Sequence, residues 1–338
     1  MSPSRSVLTA AVVWGILGCW SPPVARGQQA MPPSVVIEEE NPVNTVPRIM
    51  SPQAPGRIVG TAPYVVGAPQ FGVAPEASAV GAQPWGWQFL PSELIYKSYL
   101  AGPRESRLGA QWVLEKHGNW LWDATLGGHV GLLRYGNDSP VLPEGWQLDA
   151  EGAAFPRLSL DAERELVSAD FRFGFPLTWR RGPLESKFGY YHISSHLGDE
   201  FLIDHQGDPD FHRRNYVRDS LVWGVALRPH EAIRLYAEAD WAFHEDGGTK
   251  PWEFQFGLDL SRPQPSGRLF DPFFAINSRL REEVDYSGNL TVQAGLQWHG
   301  QGGHLLRVGA QYFNGLSEQG QFLRRFEEQI GLGVWYDF

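Results

Sequence analysis

Four stretches of this chain alternate between apolar and polar residues, and the apolar side of each carries no charge. In 167–179, Val167, Ala169, Phe171, Phe173, Phe175, Leu177 and Trp179 share one side, with Ser168, Asp170, Arg172 and Thr178 on the other. The same scheme recurs in 233–244, where Leu235, Trp241 and Phe243 oppose Arg234, Glu238 and Asp240, in 252–261, where Trp252, Phe254 and Phe256 oppose Glu253, Gln255 and Asp259, and in 290–299. Successive side chains of a strand point to opposite faces, so a period of two predicts strands with one apolar face. A soluble sandwich and a membrane barrel both have such strands. Length favours the barrel: several runs reach about 10 to 13 residues, enough to cross a bilayer at a tilt, whereas an ordinary strand has about 5 to 6. The uncharged faces agree, because a Lys or Arg facing lipid at the midplane costs about 2–4 kcal/mol.

The end of the chain adds a third argument. Ile330, Leu332, Val334, Tyr336 and Phe338 place an apolar or aromatic residue at every second position up to the last. This resembles the C-terminal assembly signal of outer-membrane barrels. The predicted strands are 107–116, 120–135, 146–160, 165–179, 184–197, 215–228, 233–244, 252–261, 269–281, 290–299, 304–314 and 326–338. The fold expected is therefore all-β, an antiparallel transmembrane β-barrel of about 12 strands, with about 10 to 14 as the range. With the first strand rising from the periplasm, the connections after the fifth, seventh, ninth and eleventh strands become external loops, and the turns at 180–183 and 229–230 are periplasmic; 136–144 is long for such a turn. Before the first strand, 89–109 reads as a mixed stretch with one helical turn. The polar faces carry both signs of charge (Asp170, Arg172, Arg234, Glu238, Asp240, Glu253, Asp259, Arg279 and Arg307), which would pair across the lumen and leave it narrow or plugged.

Composition bounds the rest. The 338 residues include 14 Trp, 19 Phe, 11 Tyr and 38 Gly, which suits aromatic girdles and tight turns. The net charge of -10 argues against a nucleic-acid partner, which requires a concentrated basic surface. Residues 1–27 read as a signal peptide, with Arg5, an apolar run over 7–20 and small residues at Ala25 and Gly27. The single cysteine, Cys19, follows Ile16, Leu17 and Gly18 in a loose match to a lipoprotein cleavage box; otherwise it is discarded with the signal. Residues 28–84, rich in Pro, Val, Ala and Gly, show no sustained period and read as a disordered periplasmic linker, leaving 85–338 for the barrel.

The densest chemistry lies at 190–200. His192, Ser194 and His196 share one side of the fifth predicted strand near its external end, where a neutral His could act as general base to a Ser hydroxyl. The His-x-Ser spacing resembles the outer-membrane phospholipase A and lipid A deacylase families, which act on acyl esters with a strand-borne His and Ser. Two departures count against a carry-over. Tyr191, Ile193, Ser195 and Leu197 form the more apolar side, which turns His192 and Ser194 inward, and the Asn-Gly that follows the serine in the phospholipase is missing. Beyond this strand, Asp199, Glu200, Asp204, Asp208 and Asp210 crowd one loop and could hold a hard cation such as Ca²⁺; no other cofactor is expected. His117, His129 and His304 read as ordinary lumen or loop residues.

Residues 89–105, from Phe89 through Glu93, Tyr96, Lys97, Tyr99 and Arg104 to Glu105, together with 192–200, resemble the domain-of-unknown-function 1207 family of bacterial envelope proteins. That resemblance covers 85–338 and implies an envelope location without supplying a reaction. The expected partners are outer-membrane lipid and, through the strand ending at Phe338, the barrel-assembly machinery. The expected role is structural or a narrow solute passage, with an acyl-ester hydrolase as the alternative and a soluble periplasmic β-sandwich binding protein as the third reading.

Overall fold

The computed structural model describes residues 84–206 and 213–338. The expected signal peptide, Cys19 and the linker up to residue 83 lie outside the described residues. The described chain contains thirteen strands: β1 (Gly86–Phe89), β2 (Leu108–Glu115), β3 (Trp120–Gly136), β4 (Gly145–Ser159), β5 (Glu165–Arg181), β6 (Leu184–Leu197), β7 (Val217–His230), β8 (Ile233–Asp246), β9 (Trp252–Leu260), β10 (Asp271–Arg281), β11 (Gly288–His299), β12 (Leu305–Leu316) and β13 (Phe326–Asp337). One short α-helix, α1 (Asp199–Asp204), follows β6, and three single-turn 3₁₀ segments lie at Glu282–Val284, Gln301–Gly303 and Gly320–Phe322.

From β2 to β13 each strand pairs antiparallel with the next, and β13 returns to β2 with Leu332 opposite Trp112 and Trp335 opposite Gly109. The wall is thus a closed barrel of twelve strands rather than two stacked sheets. Its outward face is apolar and uncovered: Phe171, Phe173 and Phe175 are 45%, 44% and 51% exposed, while Asp170, between two outward residues, is 1% exposed inside. A soluble sandwich would bury those aromatic rings between its sheets, so that reading is set aside. The chain termini of the barrel and the two-residue turns 182–183 and 231–232 lie at one end. Gly182, at φ +56, supplies the left-handed residue that such a tight hairpin requires. The nineteen-residue connection 198–216 lies at the other end, as expected. Besides the anticipated 137–144, a second long connection at the short-turn end is 261–270.

The lumen is plugged, in keeping with the inward charges of both signs, but the plug is a segment of the chain itself that the sequence did not point to. Strand β1 pairs with the last four residues of β3, Leu133 to Gly136, and β2 pairs with residues nearer its start, so both occupy the same wall position. Between them, 90–107 leaves the wall and runs inside. It contains no helix, contrary to the helical turn expected there. The exit is marked by Leu90 at φ +48, an unfavourable conformation for a branched side chain. Pro91 then passes over Gly131, where a Cβ would lie only 2.8 Å from the proline ring.

Inside, the segment is fixed by the inward charges of the wall. The ring of Tyr99 stacks on that of Tyr236 with centroids 3.8 Å apart, and its hydroxyl donates to Glu238 at 2.9 Å. The Leu100 amide donates to Asp259 at 3.2 Å, and Arg104 pairs with Asp170 at 2.9 Å. Arg107 donates to the Tyr99 and Leu100 carbonyls at 2.5 and 2.8 Å and pairs with Asp337 at 3.1 Å. Around this segment, wall residues pair with one another: Lys187 with Glu238 at 2.7 Å, Arg279 with Glu253 at 2.6 Å and Arg307 with Asp337 at 2.6 Å. At the long-loop end, 317–325 folds into the mouth. There the Gly320 amide donates to Asp170 at 3.0 Å, and the Gln321 side chain donates to the Ser195 and Arg214 carbonyls at 2.7 and 2.8 Å. Among the described residues, cavities in and at the mouths of the lumen include ones of about 60, 50, 30 and 10 Å³. Volumes of this order hold from about one water to a few.

Candidate functional site

Strand β6 contains the sequence-predicted cluster, and its face assignment is corrected by the structure. Glu185, Lys187, Tyr191, Ile193 and Ser195 are buried toward the lumen, so the residues between them face outward. His192, Ser194 and His196 therefore stand on the apolar outer wall, not inside. Tyr191 and Ile193 point inward because the lumen provides partners for them. The Arg172 guanidinium lies 4.0 Å from the Tyr191 ring, and Ile193 packs with Tyr216, Val284 and Leu323 beneath the long-loop end.

The outward placement brings in a residue the sequence reading missed. On β7, Asp219 pairs across the ladder with His192, and its Oδ1 lies 2.8 Å from His192 Nδ1. The Tyr190 hydroxyl donates to the same Oδ1 at 2.6 Å. Asp219 follows the parity of Leu221, Trp223, Val225 and Leu227, all exposed on the outer face of β7. A lone acid in an apolar row was the available signal.

Neighbouring rings form an apolar bed. Phe173 lies across from His192, with ring centroids 5.1 Å apart, and Phe171 lies across from Ser194. Height along the wall follows from the register. Ser194 is ten residues up β6 from Leu184, which follows the tight turn 182–183. A tilted strand crosses the apolar layer in about 9–11 residues, which sets Ser194 at that layer's far boundary.

The chemistry follows from atom types. With Asp219 on Nδ1, the imidazole is held as the Nδ1–H tautomer, leaving the Nε2 lone pair free to accept a proton. Ser194, two residues along on the same face, supplies a hydroxyl. No hydrogen bond joins Ser194 to His192 among the described residues, and a catalytic hydrogen bond is often loose before substrate arrives.

The other predicted positions are only partly described. Asp199, Glu200 and Asp204 belong to α1, while Asp208 and Asp210 lie outside the described residues. Among the described residues, no three His, Cys, Asp or Glu side chains come together in a way that could hold a metal ion. His129 is buried in the lumen, 3.4 Å from Asp149 and 3.8 Å from Glu151. His304 bonds the Tyr336 hydroxyl at 2.7 Å near the end of the chain.

The family described as Protein of unknown function (DUF1207) matches residues 74–338. The chain belongs to that family. No curated protein matches it. Among solved structures, the KdgM porin is similar, with 11% identity and a TM-score of 0.40, covering 68% of this chain and 98% of the porin. Outer membrane phospholipase A from Escherichia coli is similar with 11% identity and a TM-score of 0.44, covering 69% of this chain and 90% of the phospholipase. The Salmonella typhi outer membrane phospholipase dimer with bound calcium has 10% identity and a TM-score of 0.44, covering 69% and 91% of the two chains. These likenesses concern the barrel fold; they assign no role to any residue of this DUF1207 chain.

Proposed function

We propose that this protein is an outer-membrane acyl-ester hydrolase, with Ser194 as nucleophile, His192 as general base and Asp219 orienting the imidazole. The observation that carries the reading is the 2.8 Å contact between His192 Nδ1 and Asp219 Oδ1 on the outward apolar wall, with Ser194 beside it. In the reaction, His192 Nε2 takes the Ser194 proton as Oγ attacks the ester carbonyl carbon. The tetrahedral intermediate then expels the alcohol, which receives that proton. Water, deprotonated by His192, attacks the acyl-serine and releases the fatty acid, restoring the serine. The rings of Phe171, Phe173, Tyr190 and Phe243 would lie along the acyl chain, so the substrate is a lipid ester reaching the wall from within the membrane.

In this reading the end with the tight turns is periplasmic, which sets Ser194 at the outer leaflet, where ester carbonyls lie. Export by residues 1–27 and insertion by the barrel-assembly machinery through the strand ending at Phe338 belong to the same proposal. The passage role is disfavoured, because a solute could cross only after 90–107 had left the lumen. The test is turnover of 4-nitrophenyl octanoate in detergent micelles by the purified full chain. Ser194→Ala should abolish turnover above the no-enzyme rate, and Asp219→Ala should lower kcat. Equal turnover by Ser194→Ala and wild type would dismiss that serine.

A further inference from the structure

A serine on a strand cannot recruit the oxyanion donors that a turn-borne serine uses. The wall amides around Ser194 are committed to the antiparallel ladder: Ser194 pairs with Phe171 on β5 and Val217 on β7, and the Ser195 amide donates to the Tyr216 carbonyl at 3.1 Å. Negative charge that develops on the carbonyl oxygen therefore needs a side-chain donor on the outer face. On β6 the outward donors flanking Ser194 are Tyr190, His192 and His196. The Tyr190 hydroxyl and the His192 Nδ1 both serve Asp219.

His196 is different. It is exposed, two residues beyond Ser194 on the same face, and no hydrogen bond engages its ring among the described residues. Its ladder partner on β5 is Ala169, yet its ring meets that of Phe171, centroids 5.7 Å apart at an interplanar angle of 67°. The imidazole rests against the side chain that stands opposite Ser194 on the ladder. His192 and His196 thus flank Ser194 from its two sides, one tied to a carboxylate and one without an acidic partner among the described residues.

We infer that His196 is a catalytic residue of the proposed hydrolase, donating a ring N–H to the oxyanion of the tetrahedral intermediate at Ser194. This assignment rests on the hydrolase reading. A neutral imidazole carries one N–H donor, so the role requires no second carboxylate and no metal. It also separates the two histidines by function: His192 moves the proton, and His196 steadies the charge on oxygen without changing protonation state during the step.

The experiment compares 4-nitrophenyl octanoate turnover by wild type, Ser194→Ala, His196→Ala and His196→Gln, each full length, in the same micelles, with folding checked by faster gel migration before boiling. Loss of one oxyanion donor lowers kcat by about 10²–10³-fold. His196→Ala should show that loss with KM unchanged and with the pH at which activity rises unaltered, since His192 remains the base. His196→Gln, which keeps an N–H donor, should recover part of the rate. A folded His196→Ala protein with wild-type kcat, or with only KM raised, overturns the His196 assignment while leaving the hydrolase standing. If wild type turns over no faster than Ser194→Ala, both the hydrolase and the His196 role fall.

Discussion

Tyr99 offers a direct measure of how firmly the inner segment is docked. It is 0% exposed, stacks on Tyr236 at 3.8 Å, and bonds both Glu238 at 2.9 Å and the Tyr96 hydroxyl at 2.7 Å. Removing a buried aromatic side chain costs about 3–5 kcal/mol. Within that total, the stack accounts for about 1 kcal/mol, and the hydrogen bond to a carboxylate for about 2 kcal/mol. Tyr99→Phe keeps the stack and loses only the hydroxyl, and Glu238 retains Lys187 at 2.7 Å, so its cost is about 1–2 kcal/mol. A reporter is available because the chain has one cysteine, Cys19. With Cys19→Ser in place, Ala101→Cys introduces a thiol at a position that is 0% exposed beside the stack. Maleimide reaches that thiol only when the segment opens. At about 1.4 kcal/mol per tenfold change, Tyr99→Ala should speed labelling by about two to three and a half orders of magnitude, and Tyr99→Phe by about one. Labelling of the Ala101→Cys protein at the rate of a free thiol, or an unchanged rate after Tyr99→Ala in a folded barrel, would refute the docked plug.

Two further predictions concern the lumen and the long-loop end. Planar-bilayer recordings of the wild-type protein should show no steady conductance, and a chain beginning at residue 107 should conduct; steady wild-type conductance would contradict the filled lumen. Glu283, in the turn Glu282–Val284, is raised from 4.5 to about 7, first by burial and then by the nearby Glu253 charge. A raised carboxyl pKa means that the fold retains this proton where the unfolded chain has lost it. Its destabilising effect is absent below about pH 4.5, grows between 4.5 and 7, and is complete above 7. Glu283→Gln should therefore raise the thermal midpoint of the gel-shift transition at pH 8 and leave it unchanged at pH 4; equal shifts at both would exclude a titration effect.

The wall was legible because its strands obey a single rule over many residues. Hydrocarbon outside and charge inside impose a strict period of two, so β5, β8, β9 and β11 could be read from side-chain polarity alone. Strand β6 shows how that rule fails when read locally. Around 190–197 both sides mix aromatic, hydroxyl and imidazole groups, and the side of Tyr191 and Ile193 looks more apolar. The lower half settles the parity, since Glu185 and Lys187 share a side with Tyr191, and Leu184 and Phe188 share one with His192. Because a strand cannot change faces without a bulge, the charged pair dictates the orientation of the whole strand. Asp219 stood out in the sequence only as a lone acid in the apolar row of β7, and its pairing with His192 appeared once β6 and β7 were in register. The plug escaped for another reason: 90–107 has neither period, and its contacts with Asp170, Glu238, Asp259 and Asp337 span from about sixty to more than two hundred residues of sequence.

A nucleophilic serine in the outward wall is tested most directly by covalent labelling. The purified barrel is treated with an alkyl fluorophosphonate, and the modified residue is located by peptide mass mapping. The expected result is one adduct, at Ser194, formed far more slowly in His192→Ala and absent from Ser194→Ala. An unmodified folded barrel, or an adduct on any other residue with Ser194 untouched, would contradict it.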